Sequence, residues 1–134
     1  MTYREAINLG EKVLNMADVA DAKIDAWLLL EMVCKIDRSF YYLHMEDEVA
    51  EEQLSEYEIA LRKRAEHVPL QYIVGEAEFM GLKFKVNSNV LIPRQDTETL
   101  VEEALKVVKP GMKVLDLCTG SGCIIVSIVH NVPE

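Results

Sequence analysis

Proline and glycine are scarce in the first half of this chain: residues 1–68 contain no proline and one glycine, Gly10, whereas residues 69–134 hold all four prolines and the other five glycines. That shift predicts a boundary near Pro69. Positive charge is also scarce, with 14 Lys and Arg against 23 Asp and Glu, a net of −9, which disfavours a general electrostatic grip on nucleic-acid phosphates. No apolar run approaches the ~18 residues of a membrane span. The N-terminus lacks a basic lead and a small-residue cleavage site, so the expected location is the cytoplasm. Cys34, Cys118 and Cys123 cannot all pair, and their spacing matches neither a disulfide framework nor a zinc signature; all three read as reduced. His44, His67 and His130 are scattered and suggest no metal site. At 134 residues, half of them hydrophobic, the chain suffices for one ordinary domain or two small ones, and is shorter than most complete cofactor-dependent catalytic domains.

What is present begins with helices. Residues 1–68 hold 15 acids against 8 bases, so the acidity is concentrated at the front. Tyr3, Ile7, Gly10, Leu14 and Ala17 recur every three or four residues, as one apolar stripe on a helix does. Ala22, Ala26, Trp27, Leu29, Leu30 and Val33 follow with few polar interruptions, which predicts a helix enclosed by its neighbours at the centre of a small core. Leu54, Tyr57, Leu61, Ala65 and Val68 repeat the spacing and predict the longest helix, while Phe40 to Leu43 predict a short helix plugging one end of the bundle. The acidic cluster Glu46, Asp47, Glu48, Glu51 and Glu52 reads as the solvated start of a helix, or as a face for a basic partner.

The period then changes. Phe79, Leu82, Phe84 and Val86 flank Gly81, with Lys83, Lys85 and Asn87 interleaved, predicting a β-hairpin that turns at Gly81. Val90 to Arg94 form an extended lead-in, Asp96 is expected to cap a helix carrying Leu100, Val101, Ala104, Leu105 and Val108, and Pro110-Gly111 ends that helix. Lys113 to Leu117 read as a buried strand leading into Cys118-Thr119-Gly120-Ser121-Gly122, after which Ile124 to Val129 open another helix.

A glycine-bearing loop between strand and helix aims backbone amides at open space, with the positive end of the helix dipole behind them. Gly120 and Gly122 permit positive φ and close approach of a ligand, and Asp116 can accept from an amine or hydroxyl. No lysine follows the glycines as in a P-loop, and the G-x-G-x-x-G spacing is absent, so an amino-acid-bearing cofactor suits the loop better than a nucleotide phosphate. By itself the loop reads equally well as a tight turn that packs a helix on a strand.

Further motifs decide between these. Pro69-Leu70-Gln71-Tyr72-Ile73-Val74-Gly75, Phe79-Met80-Gly81-Leu82-Lys83-Phe84, Val90-Leu91-Ile92-Pro93-Arg94 with Thr97-Glu98 and Leu100-Val101-Glu102, and Val114-Leu115-Asp116-Leu117 with Thr119-Gly120-Ser121-Gly122-Cys123 occur in one order. This series resembles the HemK/PrmC-type release-factor glutamine N5-methyltransferases. The resemblance implies an α plus α/β fold: a helical substrate-recognition bundle at 1–68, a β-hairpin linker at 69–94, and at 95–134 the first strand, loop and helix of a Rossmann-like methyltransferase domain. It implies S-adenosyl-L-methionine as cofactor and a peptide chain release factor as protein substrate, methylated on the glutamine of its Gly-Gly-Gln tip, with no nucleic acid or membrane as partner. It also implies that Cys118, Thr119, Gly120, Ser121 and Gly122 wrap the methionine part of the cofactor, with Asp116 near its amino group, and that Ile92, Pro93, Arg94, Thr97 and Glu98 line the pocket entrance. Cys118 stands where that family usually has glycine, and Gln95-Asp96 replaces its usual Pro-Glu.

The family's catalytic Asn-Pro-Pro-Tyr is absent, since no Asn-Pro pair occurs in the chain. The expectation is therefore an N-terminal part of a longer enzyme, with no catalytic residue of its own. Residues 112–134, deprived of sheet neighbours, are expected to be poorly ordered or covered by another copy of the chain. Two rival functions are a nucleic-acid amino-methyltransferase, which the charge opposes, and a protein-binding helical module without catalysis.

Overall fold

The computed structural model describes residues 1–132, which form two compact units, Met1–Val74 and the residues from Gly75 onward. The first helix, α1 (Tyr3–Met16), starts at a capping box: the Thr2 hydroxyl accepts from the Glu5 amide at 3.2 Å, and the Glu5 carboxylate accepts from the Thr2 amide at 2.8 Å. It buries Tyr3, Ala6, Gly10 and Leu14, the anticipated three-and-four spacing with Ala6 in place of Ile7. Helix α2 (Ala22–Cys34) buries Ala22, Asp25, Ala26, Trp27, Leu29, Leu30 and Cys34, and is enclosed as its composition suggests. Helix α3 (Arg38–His44) is capped by Asp37, whose carboxylate accepts from the Phe40 amide at 2.7 Å. Helix α4 (Glu51–Ala65) is the longest among the described residues, with acids in its first turn and Arg62, Lys63 and Arg64 in its last, both matched to the dipole. A short α5 (Leu70–Val74) closes the unit by laying Leu70, Ile73 and Val74 on its core.

Two polar contacts key this core. The Tyr57 side chain is completely buried, and its hydroxyl donates to the Ala26 carbonyl oxygen of α2 at 3.1 Å. Gly10 of α1 makes the room: a Cβ there would lie 2.1 Å from the Tyr57 oxygen and 3.1 Å from the Ala26 Cβ. Nearby, Arg64 Nε donates to Oδ2 of buried Asp25 at 2.6 Å, and Arg64 Nη1 donates to the Val68 carbonyl at 3.2 Å. Breaking such a pair strands a buried charge, at a cost of about 3–5 kcal/mol. Burial first, then the Glu56 charge, pushes the Cys34 thiol up, which marks it as packing and not a nucleophile.

In the second unit, β1 (Glu76–Phe79) pairs antiparallel with β2 (Leu82–Lys85), Phe79 opposite Leu82. Met80 and Gly81 both have positive φ, 51° and 73°, the signature of a type I′ turn, so the chain does reverse where expected. Phe79 and Phe84 meet edge to face at 6.3 Å and join Val101, Cys123 and Ile128 in a small core. Val101 belongs to α6 (Glu98–Leu105), and Cys123 and Ile128 to α7 (Cys123–Asn131).

Two expectations are corrected here. Asp96 does not cap a helix; it lies inside a 3-10 turn, Gln95–Thr97, and neither that turn nor α6 receives a side-chain cap. The entry is a tight 3-10 turn in which the Thr97 amide donates to the Arg94 carbonyl at 3.0 Å, so backbone bonds do the work expected of the Asp96 side chain. Residues 113–117 do not form a buried strand. Among the described residues the sheet consists of the hairpin alone, so no neighbour can receive their ladder bonds, and Leu115 and Leu117 are 80% and 77% exposed. The expectation for residues 112–134 extends to Pro133 and Glu134, which lie outside the described residues.

Gly10→Ala should lower the melting temperature even though alanine favours helix by about 1 kcal/mol, because overpacking against Tyr57 costs ~1–3 kcal/mol. Tyr57→Phe should cost about 1 kcal/mol alone and soften the Gly10→Ala defect, a coupling measurable by a double-mutant cycle in urea. Alkali gives a second readout. Burial, and secondarily Cys34, raises the Tyr57 pKa above its ordinary 10.0, so the stability this hydroxyl lends is whole below pH 10 and is lost as pH climbs toward its folded value. The phenylalanine variant should show a shallower alkaline loss.

The hairpin turn supplies one further outcome. The Met80 amide donates to Glu98 Oε1 at 2.8 Å, tying a strained non-glycine turn residue to the start of α6. Glu98→Ala should destabilise this unit by about 1–2 kcal/mol, with hydrogen exchange at Met80 rising first.

Candidate functional site

The Cys118–Gly122 loop lies just ahead of α7, and its backbone alternates in hand. Cys118, Gly120 and Gly122 have φ of 60°, 59° and 82°. Alternation of this kind turns successive amides toward one concave side, which favours an anionic or strongly polar group. The Gly122 amide is used internally, donating to the Thr119 carbonyl at 2.9 Å, while its carbonyl accepts from Val126 at 3.0 Å as the first bond of α7. No side chain caps α7, so its first-turn amides remain available behind the loop. A Cβ on Gly120 would meet nothing within 4 Å, so the space beside the loop is open.

Asp116 is tied to the same loop. Its Oδ2 accepts from the Thr119 hydroxyl at 2.9 Å, which fixes the carboxylate and leaves acceptor capacity for an ammonium or hydroxyl. Asp116, Ser121 and Gly122 are half-buried, and Cys118, Thr119 and Gly120 are exposed. Amide donors next to one anchored acceptor suit the carboxylate and ammonium of an amino-acid end, the group a sulfonium methyl donor would present.

The linker-side residues form a separate cluster. Pro93, Thr97 and Glu98 are half-buried and Arg94 is exposed. The Thr97 hydroxyl lies 3.5 Å from the Asp96 carboxylate, a weak contact, and Glu98 is occupied with the Met80 amide. Among the described residues no hydrogen bond or ion pair joins this cluster to the Asp116–Gly122 loop. A groove of about 390 Å³ in this unit is lined instead by Val108, Met112, Val114, Ile125, Val129 and their neighbours.

Two features escaped the sequence. Glu98's role as a turn clamp depends on Met80, 18 positions away, and no local pattern announces it. Ser127 is fully buried in α7 with its hydroxyl unpartnered among the described residues, and its signal was a lone polar residue within Ile124-Ile125-Val126-Ser127-Ile128. No metal-holding group of His, Cys, Asp or Glu occurs among the described residues, and no described helix is long and apolar enough to cross a membrane.

Comparison with known proteins places this chain in a family. Residues 5–75 match the model of the PrmC N-terminal domain. A protein of Moorella thermoacetica named release factor glutamine methyltransferase is 38% identical across all of this chain and 48% of its own length. Proteins of the same name from Geobacter sulfurreducens and Clostridium acetobutylicum are 37% and 44% identical, over 99% and 96% of this chain and 47% and 46% of theirs. The chain thus spans about half the length of the curated relatives it matches. With more than half of its residues inside the matched domain and relatives of one name along its whole length, the chain belongs to the PrmC family of release factor glutamine methyltransferases.

Proposed function

We propose that this chain forms the substrate-docking and cofactor-entry portion of an S-adenosyl-L-methionine-dependent methyltransferase acting on the glutamine side chain in the Gly-Gly-Gln motif of peptide chain release factors, in the cytoplasm. Residues 1–68 serve as the docking bundle, 69–94 as the hairpin linker and 95–134 as the start of the methyltransferase domain. The observation that carries this reading is the Asp116–Gly122 loop, an anchored carboxylate beside uncapped amides and open space. Cofactor-binding roles fall to Asp116 and to Cys118, Thr119, Gly120, Ser121 and Gly122, with Pro93, Arg94, Thr97 and Glu98 on the linker side.

The chemistry sets the division of labour. An amide nitrogen is a poor nucleophile because its lone pair is delocalised into the carbonyl, so transfer needs groups that orient it and stabilise developing positive charge. The bound cofactor supplies the sulfonium methyl. The chain's own loop holds the cofactor's amino-acid end, and with no Asn-Pro pair in its sequence it lacks the groups that would seat the target amide. It is therefore expected to bind cofactor and be inactive alone. The net charge of −9 counts against a nucleic-acid amine as substrate. Exposed Val114, Leu115 and Leu117 favour pairing of residues 113–117 with a second copy in the isolated chain.

Calorimetry tests the loop. Wild-type chain should bind S-adenosylmethionine measurably, Asp116→Ala should weaken binding about tenfold, and Cys118→Gly should strengthen it, because glycine relaxes the left-handed backbone there. Absence of binding, or indifference to Asp116→Ala, would remove the loop from the cofactor site. Radiolabelled methyl transfer to a purified release factor should be undetectable with this chain alone.

A further inference from the structure

Helices α1, α2 and α3 of the first unit enclose a cleft of about 360 Å³ to which the proposed function gives no specific role. Its floor is aromatic. Trp27 is buried with Tyr41 edge-on at 5.4 Å, and the Arg38 guanidinium carbon sits 5.1 Å from the Trp27 ring centroid. Lys23 also lines the cleft. Neither Arg38 nor Lys23 makes an ion pair or side-chain hydrogen bond among the described residues. Glu11 is the one acid on the wall, so the lining has a net positive charge. That sign is unexpected in a segment with 15 acids and 8 bases. A guanidinium held by an aromatic face keeps its forked donors free, and such a fork matches a carboxylate in two parallel hydrogen bonds.

The rim adds a second observation. Ile24 and Tyr42, which also line the cleft, are 54% and 63% exposed. Exposed apolar groups around an uncommitted cation are the make-up of an interface anchor, in which surrounding contacts exclude water from a central charged pair. We propose that the Trp27–Arg38 cleft binds an aspartate or glutamate side chain presented by a partner polypeptide, with Arg38 and Lys23 holding the carboxylate and Ile24 and Tyr42 covering it. Phosphate-bearing nucleic acid is disfavoured because the field of the surrounding acids repels a polyanion, whereas a single carboxylate feels mainly the two cations within reach. The inference stands apart from the methyltransferase reading, since it requires neither cofactor nor a release factor.

Trp27 is the single tryptophan of the chain, so its indole N–H resonance reports on the cleft directly. In 15N-labelled chain, the capped peptide Ac-Gly-Glu-Gly-NH2 should move the Trp27 indole and Arg38 Nε signals saturably, in the millimolar range expected of one anchor residue. Ac-Gly-Gln-Gly-NH2 should bind at least about tenfold more weakly, the loss expected when a charge-assisted pair is removed. Arg38→Gln should abolish the response, and Arg62→Gln, a cation of α4 outside the cleft, should leave it intact. Lys23→Gln, whose side chain makes no hydrogen bond or ion pair among the described residues, should weaken binding without disturbing the fold and keeps the test decisive if Arg38→Gln repacks Trp27. Failure to saturate, equal binding of the glutamine peptide, tighter binding of inorganic phosphate, or retention of the response in both cleft variants would each overturn the assignment.

Discussion

The fold of the first unit depends on one buried hydroxyl. Tyr57 is large enough to span from α4 to α2, and its oxygen, removed from water, must find an acceptor; the Ala26 carbonyl provides one at 3.1 Å. That contact is sterically possible only because α1 has glycine at position 10, where any side chain would enter the space of the tyrosine oxygen. Three helices are thus fixed by a residue with no side chain, a residue with a small one, and an aromatic with a polar tip. Hydrophobic burial supplies most of the driving force, yet it is non-directional, and the hydroxyl together with the Asp25–Arg64 pair selects one register from many compact alternatives.

That register shapes the cleft above it. Ile7 and Glu11 continue the α1 face that carries Gly10, and Lys23 and Trp27 lie on α2 to either side of Ala26. The close approach of α1 and α2 at Gly10 and Ala26 sets the width at which α3 can lay Arg38 and Tyr41 against Trp27. Specificity in the core and geometry at the surface are therefore one constraint, and a change at Gly10 would reach the cleft through packing alone.

The second unit shows what sequence patterns convey and where they stop. Local signals were legible: the period-two alternation around Gly81, the three-and-four spacing in α1 and α4, and the glycine loop before α7 all specify short-range structure that a few residues can satisfy among themselves. The strand expected at 113–117 needed partners at long range. Its apolar composition fits the interior of a parallel sheet, but composition cannot supply neighbouring strands, and here the segment is irregular and largely exposed. Asp25 was illegible for the converse reason. An acid inside an apolar helix resembles a surface position until Arg64, 39 residues away, is brought beside it. Asp96 looked like a cap by residue type, whereas capping is decided by backbone geometry, and here Asp96 lies inside a 3-10 turn, past the position a cap occupies.

The Cys118–Gly122 loop joins these themes, because its backbone conformation and its sequence disagree at one position. Cys118 takes a left-handed φ of 60°, which an L side chain adopts at a cost of roughly 1–2 kcal/mol. Strain of that size persists only where the surroundings fix the chain, and here the fixing contacts are identifiable: Thr119 holds Asp116 through its hydroxyl and Gly122 through its carbonyl. The conformation is thus imposed by the Asp116–Thr119–Gly122 brace and does not depend on a glycine at its start. A loop that served only to pass from one element to the next could relax by rotating Cys118 to negative φ and releasing the brace. The alternating backbone and the anchored carboxylate are therefore set together, and in the proposed function it is that carboxylate, more than the glycines, on which the site depends.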